Sequence, residues 1–432
     1  LKAAFCNGPI LAIVYTPNTS RAMAPPTAVP VRLQDFGVTR ERGFLPAADP
    51  LPRLTQPLFA EWEDFAAAIP SIISASAARR VISRLPALDL QAVEAALQTN
   101  AERERWMQVV SFAGTAWVWG EDPMPAQALP EHLAALWVHI GRLLVRPPIL
   151  AYVSYNLVNW RRIDPEGPIE LGNICRLCNF QGVQDEEWFG NVHVAIEAAA
   201  GPGLGAVEDM QEASVRGDAA GASAALQVLA ASLTRMRKIF ARMREKAEPF
   251  IFQERMRIYM QGWTHEDLPN GMSYPGALAE PQRLYGETGA QSSVLPAFDA
   301  ALDIPTIAAS SGTDTANHEG MVSYLQELRT YMPPSHSALI DAIGAGPCVR
   351  DFAARVGGDL MTSYNLAVKE LYRFRSLHLH MVMDFVRRWD KRSDEEVMGT
   401  GGTAFMPYLK AHREATQSRA FEAQGVSATS KL

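Results

Sequence analysis

The stretch FRSLHLHMVMDFV, residues 374–386, carries two histidines inside an apolar segment that has the period of an α-helix. On a helix, residues separated by three, four or seven positions share a face. Counted from His378, these positions hold mainly apolar residues: Leu371, Phe374, Arg375, Met381, Val382 and Phe385. Counted from His380, they hold mainly polar residues: Arg373, Ser376, Leu377, Met383, Asp384 and Arg387. We therefore expect His378 to point into the core and His380 toward solvent.

The same helical period extends over most of the chain from about residue 58 onward. Segments such as LQAVEAALQTNAERERWMQVVSF (90–112) and EHLAALWVHIGRLL (131–144) repeat apolar residues at spacings of three and four, while alternating strand-like runs are scarce. The pattern predicts an all-α fold. Residues 1–55 are rich in proline and predict an extended arm on the surface. A loop of turn-forming residues near 161–173 then predicts a small helical domain at 56–175 and a large helical domain at 176–432.

The composition argues against several classes of partner. The chain has 432 residues, of which 48% are hydrophobic, and a formal net charge of -7 without a basic block. Such a charge is unfavourable for binding nucleic acid or an anionic membrane surface. The longest apolar run near the start, PILAIVY (9–15), is too short to cross a bilayer. We expect a small-molecule partner, no nucleic acid and no membrane.

Cysteine usage and the last three residues bear on the compartment. Four cysteines in so long a chain do not make a disulfide framework, which fits a reducing compartment and predicts a cytoplasmic location. The sequence ends in Ser430, Lys431 and Leu432, the tripeptide that peroxisomal import receptors recognise. A peroxisomal location is therefore the alternative.

A histidine among apolar residues has more than one interpretation. Most often it is a core residue with one satisfied hydrogen bond. A zinc site is not indicated, because Met381 and Val382, three and four positions after His378, cannot serve as ligands. A haem requires a single proximal ligand and apolar walls, and one imidazole in a helical pocket suits it better. Periodicity alone does not separate a core histidine from a haem ligand.

Seven motifs, found in one order along the chain, provide a more specific signal. They are RPPILAYVSYNLVNW (146–160), PIELGNICRLCNFQGVQDEEWFGNVHVAIEA (168–198), RMRIYMQGW (255–263), GAQSSVLPAFD (289–299), LRTYMPPSH (328–336), FRSLHLHMV (374–382) and GTGGTAFMPYLKAHREAT (399–416). Taken together, from about residue 31 to residue 416, they resemble the indoleamine 2,3-dioxygenase family of haem enzymes.

This resemblance implies an all-helical protein in which a small N-terminal domain caps a large one, with haem b bound between them. It also implies oxidative opening of the indole C2–C3 bond of L-tryptophan or a related indole, with dioxygen as co-substrate and an N-formylkynurenine-type product. The proximal histidine of the family falls in the matched segment RSLHL, which assigns the iron to His378. An electron donor that keeps the iron ferrous is a further implied partner.

The remaining roles are implied position by position. Arg257 matches the arginine that pairs with the substrate carboxylate, and its planar guanidinium can form two parallel hydrogen bonds to such a group. The alternative is a surface arginine on an amphipathic helix. Phe189 and Phe252 match aromatic residues of the distal pocket, and Tyr152 matches a tyrosine in its roof. Ordinary core packing is the alternative for each aromatic residue. Gly289, the first residue of GAQSSVLPAFD, is assigned to cofactor binding.

A glycine-rich loop, GTGGT at 399–403, is a candidate substrate clamp. Its glycines allow backbone N–H groups to turn toward an anion, and a threonine can cap the helix that follows. The alternative is a flexible surface hinge. In the family this loop closes over the substrate, so the expected substrate-binding residues here are Thr400, Gly401, Gly402 and Thr403.

One departure from the family pattern is the most informative. His193 occupies a distal position where family members usually carry serine. We expect its imidazole to accept a hydrogen bond from the indole N–H and thereby orient the ring, as a histidine does in the similar tryptophan 2,3-dioxygenases. The alternatives are that the ring points away or holds a water molecule. Gln253, Tyr155, Glu287 and Thr288 also depart from the pattern and make the pocket more polar.

Two other functions remain compatible with the sequence. A haem-dependent monooxygenase acting on a tryptophan-derived aromatic compound in secondary metabolism would insert one oxygen atom rather than two. A haem-based gas or redox sensor would bind dioxygen without turning over any indole. No output domain is evident in the sequence, so we expect an enzyme.

Overall fold

The computed structural model describes residues 29–121, 124–305, 324–389, 399 and 406–422. These residues form α-helices joined by 3-10 and π-helical turns and one antiparallel pair of two-residue strands, which confirms the predicted all-α fold. The helices are α1 (Ala60–Ser74), α2 (Ala78–Ile82), α3 (Leu90–Ala96), α4 (Asn100–Trp119), α5 (Glu131–Leu144), α6 (Gln184–Arg216), α7 (Ala219–Ala241), α8 (Pro249–Ile251), α9 (Val294–Ala301), α10 (Pro334–Ala345), α11 (Val349–Val356), α12 (Gly358–Phe385) and α13 (Met406–Gln417). The strands are β1 (Arg161–Arg162) and β2 (Ile174–Cys175).

Three long helices form the frame that carries the candidate site. Helix α7 packs along both α6 and α12, and α13 packs on α12. The contacts are made by buried apolar side chains, including Leu204, Leu229 and Leu371, each fully removed from solvent. Burial of this kind is the main source of helix stability in a folded protein, because it outweighs intrinsic helix propensity.

The ends of α6 explain where this 33-residue helix begins and stops. Glu186 in its first turn accepts hydrogen bonds from the backbone N–H groups of Phe180, Gln181 and Gly182, at 2.8, 2.8 and 3.1 Å. An acidic residue there also complements the helix dipole. The helix ends at Arg216, and Gly217 directly after it adopts φ 68°, a left-handed conformation that glycine accepts without strain.

Helix α12 is fixed by a buried ion pair close to His378. The Arg375 guanidinium donates to both carboxylate oxygens of Asp299 in α9 at 2.6 Å, and His412 of α13 lies 3.3 Å from the same carboxylate. Burial alone would raise the pKa of Asp299, but Arg375 and His412 hold it below its ordinary value. The charge pair therefore joins three helices and sets the rotation of α12.

The described part of the predicted N-terminal arm lies along α6. Val31 and Phe44 are buried in the core, and the Arg40 guanidinium pairs with Glu208 and Asp209 of α6 at 3.0 and 2.7 Å. One continuous hydrophobic core includes residues on both sides of position 175. The division into an arm and two domains stays a prediction. None of the helices in the described ranges has both the length and the apolar character that crossing a membrane requires.

Candidate active site

A cavity of about 230 Å³ lies between α6, α12, the turns at residues 252–260 and the loop at residues 287–290. Its wall is mainly apolar and includes Phe189, Phe240, Phe252, Met381 and Phe385. In the part of the chain that the structure describes, the polar or titratable side chains on this wall are His193, Arg257, Glu287, Thr288, Tyr324, His378 and Tyr408. The structure thus brings together six residues that the sequence assigned to the site: Phe189, His193, Phe252, Arg257, Gly289 and His378.

His378 faces the cavity from α12, whereas His380 is exposed on the opposite side, as the helical periodicity predicted. The ring is enclosed by protein but keeps surface toward the cavity, and its centroid lies 5.9 Å from that of Phe240. Burial lowers the pKa of His378 to about 4, with smaller contributions from His193 and Arg375. The imidazole is therefore neutral near pH 7, the form in which a ring nitrogen can bind a metal.

His193 faces the same cavity from α6, and its tautomer follows from one contact. Nδ1 lies 2.8 Å from the backbone carbonyl oxygen of Phe189. Because a carbonyl oxygen can only accept, Nδ1 carries the proton and Nε2 is left as an acceptor. Burial lowers the pKa of His193 to about 4 despite this contact, and Arg176 lowers it further. His193 is therefore a neutral acceptor over the physiological pH range.

Arg257 and Phe252 come from an irregular segment between α8 and residue 260. Residues Phe252–Met256 form a π-helical turn and Arg257–Met260 a 3-10 turn. Arg257 is 7% exposed and lines the cavity, so the alternative of a surface arginine is wrong. The Phe252 ring lies 5.1 Å from Phe189 and 5.8 Å from Phe385, so the three rings form one aromatic patch.

Tyr152 does not line the cavity, which differs from its expected place in the pocket roof. Its ring lies edge-on to His193 with centroids 6.1 Å apart, and its hydroxyl donates to Glu197 at 2.9 Å. The hydrogen bond to this buried carboxyl holds the tyrosine behind the wall. Tyr155 and Gln253 likewise lie off the cavity wall, so the expectation that they add polar groups to it is wrong.

The loop that carries Glu287 and Gly289 is held close to the Arg257 segment by a crossing of two glycines. A Cβ added to Gly286 would lie 2.1 Å from the carbonyl oxygen of Met260, and one added to Gly262 would lie 2.2 Å from the nitrogen of Gly286. Larger residues are excluded there because the backbones touch. By contrast, a Cβ added to Gly289 would meet no atom within 4 Å, so the cavity is open at this position.

Two buried carboxyl groups stand at or next to the cavity. Glu287 lines it, is 4% exposed and accepts a hydrogen bond from Asn156 at 3.0 Å. Glu197 lies behind it and accepts from Ser292 at 2.7 Å as well as from Tyr152. Burial raises the pKa of each to about 7. These carboxyl groups therefore titrate near neutral pH, which is unusual for glutamate.

Sequence reasoning missed Glu197, although a signal was present. Phe189, His193 and Glu197 follow one another at a spacing of four and so share one face of α6. Asn156 was also missed, because it lies in a π-helical turn, Val153–Leu157, whose register the sequence does not reveal. Of the glycine-rich loop, Gly399 lines the cavity, whereas Thr400, Gly401, Gly402 and Thr403 lie outside the described residues. The same holds for Ser430, Lys431 and Leu432.

Comparisons with known proteins identify the family of the chain. The family model for indoleamine 2,3-dioxygenase matches residues 32–419. The chain is 32% identical over 406 residues to indoleamine 2,3-dioxygenase 2 of Homo sapiens, covering 90% of this chain and 96% of the relative. It is 30% identical over 402 residues to indoleamine 2,3-dioxygenase 1 of Mus musculus, covering 89% and 95%. It is 27% identical over 429 residues to indoleamine 2,3-dioxygenase of Saccharomyces cerevisiae, covering 90% and 93%. The chain therefore belongs to the indoleamine 2,3-dioxygenase family, whose members are haem-dependent oxidoreductases acting on indoles.

Proposed function

We propose that this chain opens the C2–C3 bond of L-tryptophan or a related indole as a haem-dependent dioxygenase and releases an N-formylkynurenine-type product. The observation that carries the proposal is a single apolar cavity lined by His378, His193 and Arg257. These side chains supply a ligand nitrogen, a hydrogen-bond acceptor and a fixed positive charge. An indole amino acid has groups that complement the last two, namely its ring N–H and its carboxylate.

The residues around His378 fit haem b. Its imidazole is neutral, and within the described residues its ring takes part in no hydrogen bond that would compete with a metal. Phe240, Met381 and Phe385 supply the apolar surroundings that a porphyrin requires. Gly289 leaves room on the facing loop. When bound, haem supplies the iron-centred dioxygen chemistry that amino-acid side chains lack.

In this proposal His193 orients the substrate. Its Nε2 accepts the indole N–H, while its Nδ1 is held by the Phe189 carbonyl, so the ring cannot switch roles without losing that contact. A histidine whose pKa is about 4 is too weak a base to remove an indole proton. His193 therefore fixes the position of the C2–C3 bond without taking up a proton.

Arg257 binds the substrate carboxylate in the same proposal. A buried guanidinium presents two parallel N–H donors, and such a pair is stronger and more directional than a lysine contact. Thr400, Gly401, Gly402 and Thr403, which lie outside the described residues, are further candidates for binding this carboxylate. The aromatic patch of Phe189, Phe252 and Phe385 then excludes water from the indole ring.

Incorporation of labelled dioxygen tests the reaction class. The haem-loaded protein is reduced, mixed with L-tryptophan under ¹⁸O₂, and the product is analysed by mass spectrometry. We expect a formylkynurenine-type product that contains two labelled atoms. One labelled atom would support the monooxygenase instead, and binding of dioxygen without any product from a panel of indoles would support the sensor.

We also propose the remaining partners and the location. An electron donor keeps the iron ferrous, and the acidic net charge of -7 makes nucleic acid an unfavourable partner. A cytoplasmic location fits Cys175 and Cys178, neither of which forms a disulfide within the described residues. Fractionation of cells that produce the tagged protein checks this location.

A further inference from the structure

Glu287 is a buried acidic residue on the wall of a cavity that is otherwise mainly apolar. Its side chain is 4% exposed and lines the cavity beside Thr288 and Gly289. The Asn156 amide donates to its Oε1 at 3.0 Å. Removing a carboxyl group from water is unfavourable unless hydrogen bonds replace the lost hydration. Glu287 therefore places a charged hydrogen-bond acceptor on an otherwise mainly apolar wall.

The loop around Glu287 is held rigidly, so the carboxyl has a fixed position. Gln291 donates to the carbonyl oxygen of Gly286 at 2.9 Å and accepts from the backbone N–H of Tyr152 at 2.9 Å. Ser292 adds its bond to Glu197 at 2.7 Å. These contacts join the loop to the π-helical turn that carries Asn156 and to α6. A rigid scaffold of this kind favours recognition of a specific ligand group.

Two buried polar atoms near this carboxyl have no partner within the described residues. They are Oδ1 of Asn156, whose own amide binds Glu287, and Nη1 of Arg176. Arg176 is 7% exposed, and its charge is close enough to lower the pKa of Glu287. Buried polar atoms are nearly always paired, so these two indicate bound water behind the wall that carries Glu287.

Glu287 lies toward the indole end of the proposed substrate. Asn156, which donates to it, belongs to the π-helical turn that follows Tyr152, and the Tyr152 ring lies edge-on to His193 with centroids 6.1 Å apart. His193 binds the indole N–H, whereas the amino-acid end of the substrate is bound by Arg257. In the proposed binding mode, a group on the same side as Tyr152 therefore faces the fused six-membered ring.

We propose that Glu287 determines specificity by selecting indoles that carry a hydrogen-bond donor, such as a hydroxyl group, on the six-membered ring. This inference rests on the proposed function and names its substrate class. Glu287 accepts the O–H of the substituent. An unsubstituted or methylated ring places C–H groups against the carboxyl and leaves it without a new partner, and a site built for a donor discriminates against such a ligand.

Glu287 can exert this selection both when its carboxyl group is ionised and when it is protonated. Burial raises its pKa to about 7, while Arg176 and Asn156 lower it. The carboxylate and the neutral carboxyl group both carry lone pairs that accept a hydroxyl proton. The preference is therefore not confined to one protonation state.

Matched substrate pairs test the inference. Tryptophans that carry a hydroxyl at ring position 4, 5, 6 or 7 are compared with the corresponding methyl-tryptophans, which are similar in size but lack the donor. We expect the wild-type protein to prefer the hydroxyl compound by about 10- to 100-fold in kcat/KM at one position at least, the effect of a hydrogen bond to a charged group. The dissociation constants of the same compounds, measured with the ferric haem-loaded protein, provide a readout without turnover.

Variants of Glu287 test whether its carboxyl group, rather than another part of the cavity, causes the preference for hydroxylated tryptophans. Glu287→Ala should bring the ratio of kcat/KM between the hydroxyl and methyl compounds toward unity. Glu287→Gln should retain part of the preference because an amide oxygen still accepts a hydrogen bond from the hydroxyl group. Glu280→Gln, a matched change at an exposed residue, should leave the ratio at the wild-type value. Near-UV circular dichroism of each variant checks that it is folded.

The outcomes are distinguishable from those of the proposed function. Turnover of L-tryptophan with a ratio near unity at every position would overturn the inference and leave the dioxygenase in place. The same conclusion follows if the ratio is large but Glu287→Ala does not change it. If no indole is turned over, the proposed function fails, and the dissociation constants still decide whether Glu287 selects hydroxylated rings.

Discussion

Replacing His193 with alanine is expected to weaken the binding of L-tryptophan on the order of 10-fold. In the folded protein, Nδ1 of His193 donates to the Phe189 carbonyl at 2.8 Å, which leaves Nε2 to accept the indole N–H. Alanine removes that acceptor and leaves the N–H inside a buried cavity.

The size of this effect follows from the environment of the bond. An unsatisfied buried donor costs about 1–3 kcal/mol, which corresponds to roughly a 5- to 150-fold loss of affinity. The space left by the imidazole adjoins a cavity of about 230 Å³, so a water molecule can enter and accept the proton. We therefore expect a loss in the lower half of that range, about 10-fold.

A double comparison isolates the hydrogen bond from other consequences of the substitution. L-tryptophan and its N1-methyl derivative, which lacks the N–H, are titrated into ferric wild-type protein and into His193→Ala, and the Soret change gives each dissociation constant. The wild-type protein should favour L-tryptophan by about 10-fold or more. The alanine variant should show a ratio near unity, because neither ligand then finds an imidazole acceptor. His380→Ala, an exposed histidine, serves as the control.

An equal preference for L-tryptophan in the wild type and in His193→Ala would refute the proposed bond. It would mean that the imidazole does not contact the indole nitrogen, and the methyl group is then rejected by another part of the wall. A wild-type protein that binds both ligands equally would contradict the bond in the same way.

Three further predictions follow from the described geometry. Glu197→Gln should raise the melting temperature at pH 8 but not at pH 4. Burial raises the pKa of Glu197 from 4.5 to about 7. The protonated carboxyl group therefore contributes to the stability of the folded protein below pH 4.5, and this contribution is lost as pH rises through 7. The substitution should increase the free energy of unfolding at pH 8 by at most about 3 kcal/mol, since each pKa unit corresponds to about 1.36 kcal/mol. Equal shifts in melting temperature at both pH values, measured by differential scanning fluorimetry, would contradict this prediction. Gly289→Leu should leave the apoprotein stable, because a Cβ there meets no atom within 4 Å, yet reduce haem uptake in a haemin titration; full uptake would show that this position does not face the cofactor. Arg257→Lys should weaken L-tryptophan binding about 10-fold through loss of the bidentate contact. Binding of tryptamine, which lacks the carboxylate, should be unaffected when both ligands are measured by calorimetry. An equal loss of affinity for both ligands would exclude a role of Arg257 in binding the carboxylate.

The helical fold and the orientation of His378 were predictable because both depend on local periodicity. A spacing of three and four residues reports which face of a helix is buried, whatever the helix packs against. The same reasoning was sufficient to separate His378 from His380, and applied to α6 it would have found Glu197 four positions after His193. These inferences need only one helix at a time.

Features that depend on contacts between distant segments were not predictable in this way. The turns at Val153–Leu157 and Phe252–Met256 are π-helical rather than regular helix. Asn156 in the first turn donates to Glu287, and Tyr152 just before it is held behind the cavity wall by its bond to Glu197. π-Helical turns are rare, and local helical periodicity does not reveal where they occur. Likewise, the crossing of Gly262 and Gly286 joins positions 24 residues apart in the sequence.

Haem uptake by His378→Ala, compared with His380→Ala, tests the central claim most directly. Both substitutions remove one imidazole from the same helix, but only His378 faces the cavity. We expect His380→Ala to bind haemin with the wild-type Soret spectrum and stoichiometry, and His378→Ala to lose normal ligation, which added imidazole restores in part. A His378→Ala protein with an unchanged Soret spectrum would contradict the assignment of the iron to this residue.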